Sequence, residues 1–184
     1  TGGADKAYGD TGNDVINAAF DDGAHDTLLG GDGDDVILGA QGDQLYGEAG
    51  FDAFTLNMAT STTALHLEIG NLTSGGALHL DDGTVVSGME GGAMVMGLGD
   101  DYVHVGRAIV SVLGGGGDDT LIGGKGADFL GGGAGNDIVR GGQGVDTVIY
   151  ADATSGVTVD LSDHGVQNTH GAGKDQLGSI ENVI

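Results

Sequence analysis

A nine-residue period is the feature that most constrains how this chain can fold. From Gly114 the sequence reads GGGGDDTLI, GGKGADFLG, GGAGNDIVR and GGQGVDTVI, four consecutive copies of one pattern. Each copy has an Asp at its sixth position and an apolar residue two positions later. These residues are Asp119, Asp128, Asp137 and Asp146, followed by Leu121, Leu130, Val139 and Val148. A short fixed period of this kind is typical of a solenoid, in which each repeat packs against its neighbours.

Less regular copies of the pattern occur elsewhere along the chain. GDTGNDVIN surrounds Asp14, GGDGDDVIL surrounds Asp35, and GLGDDYVHV surrounds Asp101. Weaker copies lie at Asp5, Asp26, Gln44 and Asp52, and a degenerate copy has Val110 in the Asp position. The register slips in the first group, with three extra residues after Asp14 and one missing before Asp52. We therefore expect two blocks of repeats, the first less regular than the second.

Each block is followed by a spacer whose sequence lacks the nine-residue pattern. ALHLEI (64–69) and GVTVDL (156–161) alternate apolar and polar residues, which predicts strands. Their expected core residues are Leu65, Leu67, Ile69, Val157, Val159 and Leu161. The spacers also resemble each other, with Glu90 matching Glu181. We predict an all-β parallel β-roll, or β-solenoid, in which segments 1–54 and 97–149 are repeat blocks and 55–96 and 150–184 are β-rich spacers. The pattern leaves open whether the spacers add coils to the roll or form separate strands.

The composition restricts the partners that such a fold could have. Asp and Glu number 28 against 5 Lys and Arg, so the formal net charge is -23. A surface of this charge repels nucleic acid and anionic lipids and attracts small cations. With 41 Gly, no Pro and no Cys, the chain has many turn-forming residues and no possible disulfide. A bound metal is the main alternative for stabilising a small core.

The repeat itself predicts which metal is bound. Two repeats per coil would stack equivalent Asp turns about 4.8 Å apart. Two carboxylates at that spacing repel by about 1 kcal/mol in bulk water and about 3 to 4 kcal/mol near a protein surface. A cation between the turns reverses this repulsion. Calcium is favoured because it accepts six to eight oxygen ligands in flexible geometry, whereas zinc prefers nitrogen and sulfur. We expect the metal-free chain to be largely disordered.

The repeats GGKGADFLG, GGAGNDIVR and GGDGDDVIL resemble those of the RTX, or haemolysin-type calcium-binding, family. The resemblance implies a parallel β-roll that binds several calcium ions between successive turns, through Asp carboxylates and turn carbonyls. It also implies a larger bacterial protein that is secreted by a type I system and folds outside the cell.

Carried onto this chain, the resemblance implies four edges of stacked turns. In the second block Asp101, Asp119 and Asp137 would share one edge, and Asp128 and Asp146 the other, which Val110 interrupts. In the first block Asp14, Asp35 and Asp52 would share one edge, and Asp5, Asp26 and an uncharged Gln44 the other. The further turn residues implied as metal ligands are Gly30, Asp32, Gly114, Gly116, Gly117, Gly123, Lys125, Gly126, Gly132, Gly133, Ala134, Gly135, Gly142 and Gly144.

We expect a structural, non-enzymatic module, because the sequence has no HExxH, GxSxG or phosphate-loop motif. The alternatives are an adhesive or polysaccharide-binding accessory module, or the non-catalytic part of an RTX enzyme or toxin. His66 with Glu68 and His79 with Asp81 have same-face strand spacing, but surface placement is favoured over a metal site, and His104 shows no partner pattern. Thr1 starts within a repeat and Ile184 ends where a further block is expected, so we expect neighbouring domains of a parent protein and no membrane span.

Overall fold

Parallel strands that pair at the repeat spacing organise the chain in the computed structural model. The structure describes residues 3–18, 23–70, 72, 76–106 and 109–184, without the side chains of 109 and 110. This part of the chain contains strands and no helix, and therefore no helix that could cross a membrane. The strands are β1 (Lys6–Tyr8), β2 (Val15–Asn17), β3 (Thr27–Asp32), β4 (Val36–Ala40), β5 (Gln44–Ala49), β6 (Ala53–Asn57), β7 (His66–Ile69), β8 (Ala77–His79), β9 (Val85–Ser87), β10 (Gly91–Val95), β11 (Tyr102–Val105), β12 (Ile109–Gly116), β13 (Thr120–Ile122), β14 (Phe129–Ala134), β15 (Ile138–Arg140), β16 (Thr147–Val148), β17 (Val166–Asn168), β18 (Lys174–Gly178) and β19 (Asn182–Val183).

The chain forms two compact units, which divide the first spacer between them. The first unit comprises Thr1–Met58 and Ile69–Met94, and the second comprises Ala59–Glu68 and Val95–Ile184. Each unit is a parallel β-roll with two sheets, so the predicted fold class is confirmed.

The second unit is built from coils of two nonapeptides. One sheet has the strand order β17-β18-β15-β13-β11-β7, and within this unit the other has the order β19-β16-β14-β12. Tyr102 pairs with Thr120, and Thr120 with Ile138, so neighbouring strands lie two repeats apart as the period predicts. Each short strand points one apolar residue inward. The stacked inward residues are Val103, Leu121, Val139 and Leu177 in one sheet and Val112, Leu130 and Val148 in the other, all buried.

The first unit has the same plan with less regular coils. One sheet has the order β1-β3-β5-β9-β8, and within this unit the other has the order β10-β6-β4-β2. Its stacked inward residues are Leu28, Leu45 and Val86 in one sheet and Ile16, Ile37 and Phe54 in the other. Large aromatic side chains are nearly absent from both cores, so the hydrophobic contribution to stability comes from these aliphatic stacks.

The predicted register of the fifth turn in the first block, at Gln44, is wrong by one residue. Asp43, and not Gln44, occupies the Asp position, because Oδ1 of Asp43 accepts the N–H of Asp26 at 2.8 Å. Gln44 is the first residue of β5 and pairs with Thr27 and Val85. The missing residue therefore lies between Asp35 and Asp43, and this edge carries a carboxylate at every turn of the first block.

Each spacer ends by adding a coil to its roll. In the first unit, β9 and β10 extend the two sheets, and in the second unit β18 and β19 do the same. An antiparallel strand, β8 or β17, precedes each added coil and pairs with β9 or β18. This settles the question that the sequence leaves open, because the spacers contain both a hairpin and a further coil.

The two alternating spacer segments have different structures. ALHLEI contains β7, with Leu67 and Ile69 buried, as predicted. The prediction that GVTVDL forms a strand with core residues is wrong, because 156–161 is irregular and Val157 and Val159 are only half-buried. These two valines instead line a cavity of about 390 Å³ beside Tyr150 and Val183 at the end of the second roll. Strand alternation requires a neighbouring strand to complete its hydrogen bonds, and this segment has none over its length.

Candidate metal centre

A ladder of buried carboxylates runs along one edge of the second unit. Oδ1 of Asp119 accepts the N–H of Asp101 at 2.7 Å, and Oδ1 of Asp137 accepts the N–H of Asp119 at 2.9 Å. Asp175, in the spacer coil, continues the ladder by accepting the N–H of Asp137 at 3.1 Å. Each Asp therefore satisfies a backbone donor of the preceding coil, which fixes the carboxylate at the corner of its own turn.

The other three edges have the same construction. Oδ1 of Asp146 accepts the N–H of Asp128 at 2.9 Å. In the first unit Asp35 accepts from Asp14, and Asp52 accepts from Asp35, at 2.8 and 2.9 Å. The last edge runs through Asp5, Asp26 and Asp43, with Asp26 accepting from Asp5 at 2.8 Å. The structure thus brings together the Asp residues that the sequence assigns to each edge, with Asp43 in place of Gln44. The side chain of Val110 lies outside the described residues.

The second carboxylate oxygen of most ladder Asp residues has no hydrogen-bond partner in the described part of the chain. These buried Oδ2 atoms belong to Asp14, Asp35, Asp52, Asp101, Asp119, Asp137 and Asp146. An unpaired buried carboxylate oxygen is costly, because burial removes its water and nothing replaces it. Oδ2 of Asp43 and of Asp128 differ, since they accept N–H groups of their own turns from Ala40 and Gly124. The unpaired oxygens are positions where a cation would supply the missing interaction.

Glycines lie beside six of these seven oxygens, and Met96 takes the equivalent position before Asp101. A Cβ on Gly114, the first residue of its repeat, would overlap both Oδ2 of Asp119 and the carbonyl oxygen of Gly132 in the next coil. Gly30 has the same relation to Asp35 and to the carbonyl of Gly47. The first Gly of the repeat is therefore required by the approach of oxygen atoms, which a side chain would displace.

Further carbonyl oxygens point along the stack from the second and fourth positions of each turn. A Cβ on Gly133 would overlap the carbonyl oxygen of Gly115, and a Cβ on Gly135 that of Gly117. In the next edge, Gly142 and Gly144 have the same relation to the carbonyl oxygens of Gly124 and Gly126. The gap between two successive turns is thus bordered by three kinds of backbone carbonyl and one Asp carboxylate.

Only some of the turn residues that the sequence predicts as metal ligands border these gaps. Gly114, Gly117, Gly123, Gly126, Gly132, Gly133, Gly135, Gly142 and Gly144 all border the gaps. The carbonyls of Asp32 and Ala134 are instead occupied by the N–H groups of Gly12 and Gly117. Gly30 also borders a gap, beside Asp35. Gly116 instead pairs with Ala134 inside strands β12 and β14. Lys125 is exposed in its turn. The carbonyl of Gly115, which the sequence interpretation leaves out, also borders a gap, whereas that of Gly124 accepts the N–H of Gln143.

A second ladder, in the position before each Asp, is also absent from the sequence interpretation. Oδ1 of Asp100 accepts the N–H of Asp118, and Oδ1 of Asp118 accepts that of Asn136, each at 2.8 Å. In the first unit Oδ1 of Asn13 accepts the N–H of Asp34 at 3.0 Å. These side chains reach forward to the next coil, whereas the buried Asp residues reach back. The signal in the sequence is the recurring Asn or Asp before the motif Asp.

Burial and neighbouring charges raise the pKa of two carboxyl groups in this ladder, Asp119 and Asp137. Burial first, and then the negative charges of Asp101, Asp100 and Asp118, raises the pKa of Asp119 to about 6. Burial, followed by the charges of Asp175 and Asp119, raises the pKa of Asp137 to about 7. The ionised carboxylates are thus disfavoured in the folded chain unless a cation compensates them.

We predict that calcium binding weakens as the pH falls through these values. The pKa of Asp119 and Asp137 is higher in the folded chain than the 3.8 of an unperturbed Asp, so protons stabilise the metal-free fold between about pH 7 and pH 4. Calcium requires the ionised form and must displace those protons. Calorimetric titration at about pH 8, 6 and 5 should therefore show a rising dissociation constant. An affinity that stays constant over this range would contradict the prediction.

Two histidines, His66 and His104, lie on a sheet face away from the Asp turns. His104 Nδ1 is 2.8 Å from Oε2 of Glu68, and His66 Nε2 is 3.8 Å from Oε1 of the same residue. The ring of His66 stacks on Tyr102 with centroids 4.4 Å apart. His104 therefore has a partner that the sequence pattern does not indicate. All these side chains are partly or largely exposed on the outer face of β7 and β11.

The donor set of the turns fits calcium. Among the described residues no three His, Asp or Glu side chains gather as a metal-binding group. This is expected of these turns, because each contributes one buried carboxylate and its other oxygens are backbone carbonyls. An all-oxygen set with few charged ligands suits calcium, whereas zinc would require the nitrogen or sulfur donors that the turns lack. The unpaired Oδ2 atoms and the spaces kept open by glycine are the two observations that support this fit.

Comparison with known proteins identifies the repeats. The family model of the RTX calcium-binding nonapeptide repeat matches residues 1–22, 20–54 and 113–148. No curated protein matched the chain. The matched segments cover the first block and residues 113–148 of the second, and they contain most of the Asp ladders and glycine turns described above, but not Asp101 or Asp175. These segments of the chain are therefore RTX calcium-binding nonapeptide repeats.

Proposed function

We propose that the chain is a non-catalytic folding module of a larger secreted bacterial protein, and that calcium binding between its stacked turns drives its folding. The single observation that carries this proposal is the row of buried Asp oxygens without partners among the described residues, most of them beside a glycine where a side chain would displace oxygen atoms. A chain that buries ionised carboxylates in this way lacks a counter-charge in its own sequence, since it has only 5 Lys and Arg. Calcium supplies that charge from outside.

The composition and the family support export. RTX repeats are typical of secreted bacterial proteins, and we propose type I secretion as the route. Extracellular calcium modules bind in the range of about 0.1 to 1 mM, so such a chain would stay unfolded in the cell and fold after release. Because the chain has no Cys, a bound metal and not a disulfide would stabilise its fold outside the cell.

The test is calcium titration of the 184-residue chain and of two matched variants. Asp119→Asn keeps the acceptor for the N–H of Asp101 but removes the charge at the buried Oδ2. Asp118→Asn makes the same chemical change one residue earlier, on an exposed side chain whose oxygen caps Asn136. We expect calorimetry to show at least about tenfold weaker calcium binding at one site in Asp119→Asn, and little change in Asp118→Asn.

The stability of the metal-free chain is a second measurement, and we expect the substitution to raise it although the same substitution weakens calcium binding. Because the pKa of Asp119 is raised to about 6, its ionised form destabilises the metal-free fold above pH 6 by a free energy on the order of 2 to 3 kcal/mol. Asp119→Asn has no such charge and therefore avoids this destabilisation. Asp119→Asn should therefore be more ordered than the parent chain in chelator, while it responds less to calcium. If both variants bind calcium as the parent chain does, the buried carboxylate is not a ligand and the proposal fails.

A further inference from the structure

We propose that Glu90 and Glu181, which lie in the spacers outside the matched repeats, each complete a terminal calcium site of their unit. The inference rests on the proposed function of the Asp turns. It extends that function to residues that have no nonapeptide motif, and it adds a site at the last coil of one edge in each roll.

Glu181 stands in the position that a ladder Asp would occupy in the next coil. Its Oε2 accepts the N–H of Asp146 at 2.8 Å. Asp146 is fully buried, and its Oδ2 has no partner among the described residues. A Cβ on Gly141 would overlap both this oxygen and the carbonyl oxygen of Ser179. The spacer coil thus brings a carboxylate and a carbonyl to an orphaned buried Asp oxygen.

The first unit contains the same arrangement, formed by different residues. Oε2 of Glu90 accepts the N–H of Asp52 at 2.7 Å, and Oδ2 of the fully buried Asp52 has no described partner. A Cβ on Gly47 would meet Oδ2 of Asp52 and overlap the carbonyl oxygen of Gly88. Burial first, and then the charges of Asp35 and Glu90, raises the pKa of Asp52, so a second acid has been placed where it adds repulsion. Two independent copies of one costly arrangement indicate a shared ligand.

The corner of the spacer coil explains why the acid is Glu. In the repeats, the first Gly lies five residues before its Asp, as Gly141 does before Asp146. In the spacers, the equivalent carbonyl comes from Ser179 or Gly88, only two residues before the Glu. Both residues have a left-handed backbone, with φ of 52° and 67°. The shorter corner omits three residues, and the extra methylene of Glu lets the carboxylate still reach the N–H of the preceding Asp.

The opposite edge of the second unit shows what a terminal turn looks like when protein groups satisfy it. Asp175 ends that edge, and its Oδ2 accepts the hydroxyl groups of Tyr150 at 3.1 Å and Thr169 at 2.9 Å. In the first unit the corresponding residue is Thr84, whose hydroxyl oxygen accepts the N–H of Gly42. Asp175 therefore serves as a hydrogen-bonded cap. Glu181 is the equivalent residue of the other edge, and among the described residues its carboxylate accepts only the N–H of Asp146, so its second oxygen can bind a cation.

The experiment must separate a metal ligand from a hydrogen-bond acceptor. Glu181→Gln keeps an oxygen that can accept the N–H of Asp146 but removes the charge that calcium requires. Glu68→Gln is the matched control, because its carboxylate lies on the sheet face and contacts His104. The calcium-saturated chain is first checked for β structure by circular dichroism. The ions bound per chain, and their dissociation constants, are then measured by competition with a calcium-sensitive chelator.

We expect Glu181→Gln and Glu90→Gln each to lose one bound calcium, or to weaken one site by at least about tenfold, and the double variant to lose two. Glu68→Gln should match the parent chain. Unchanged calcium binding in both single variants would overturn the inference, while the proposed function would stand if Asp119→Asn still lost a site. A parent chain that binds no calcium would overturn both.

Discussion

Excess chelator should abolish most of the β structure of the purified chain. Most ladder Asp residues place one carboxylate oxygen in a buried position without a partner in the described part of the chain, and the chain has a net charge of -23. At a calcium concentration 100 times the dissociation constant, each independent site adds about 2.7 kcal/mol to the stability of the folded chain. Three such sites would together add about 8 kcal/mol, which is comparable to the whole stability of an ordinary domain, about 5 to 15 kcal/mol.

The measurement is far-ultraviolet circular dichroism combined with small-angle scattering during a calcium titration. We expect a cooperative gain of β signal and a compaction when calcium is added, and no comparable change with magnesium, which keeps its waters and demands stricter geometry. Magnesium at the same ionic strength is also the control for simple charge screening. A chain that is compact and fully β-structured in chelator would contradict the prediction.

The aliphatic stacks are small in the regular repeats. A coil such as that of β13 and β14 points one leucine inward from each strand, Leu121 and Leu130. Burial of such side chains yields about 1.5 to 3 kcal/mol each. We therefore propose that calcium bound between the turns adds stabilisation that side chains of this size do not provide.

The sequence predicts the second roll better than the first, because every repeat there keeps nine residues. The edges of Asp101, Asp119 and Asp137, and of Asp128 and Asp146, follow directly from that period. In the first block a deletion can be placed on either side of a turn, and the motif alone does not decide between Asp43 and Gln44. The backbone does decide, since the N–H of Asp26 requires an acceptor and Asp43 supplies it.

The spacers are where prediction from sequence is weakest. GVTVDL has the alternation of a strand, but strands also need neighbours, which no local pattern records. Glu90 and Glu181 have no motif, and the only signal for them is that the two spacers align with these residues in register. Their role becomes visible only when the coils are stacked, because each acts on an Asp that is 38 or 35 residues away in the chain.

Replacing Gly133 with Ala should be among the most damaging single substitutions in the chain. Gly133 has φ of 99°, a conformation that costs an L-residue about 1 to 2 kcal/mol. The new Cβ would also overlap the carbonyl oxygen of Gly115, one of the oxygens that border the gap between turns. Either the backbone of the coil or that carbonyl must move. We therefore expect a loss of more than about 2 kcal/mol in urea unfolding at saturating calcium, together with weaker calcium binding.

Gly156→Ala is the matched control for this substitution. A Cβ on Gly156 would have open space around it, and its backbone lies outside the left-handed region. That variant should be neutral or slightly more stable, by up to about 1 kcal/mol, because Ala restricts the unfolded chain. If Gly133→Ala unfolds at the same urea concentration as Gly156→Ala, the turns are not closely stacked. The carbonyl oxygens would then be too far apart to enclose a cation, so this comparison tests the stacking on which the calcium sites depend.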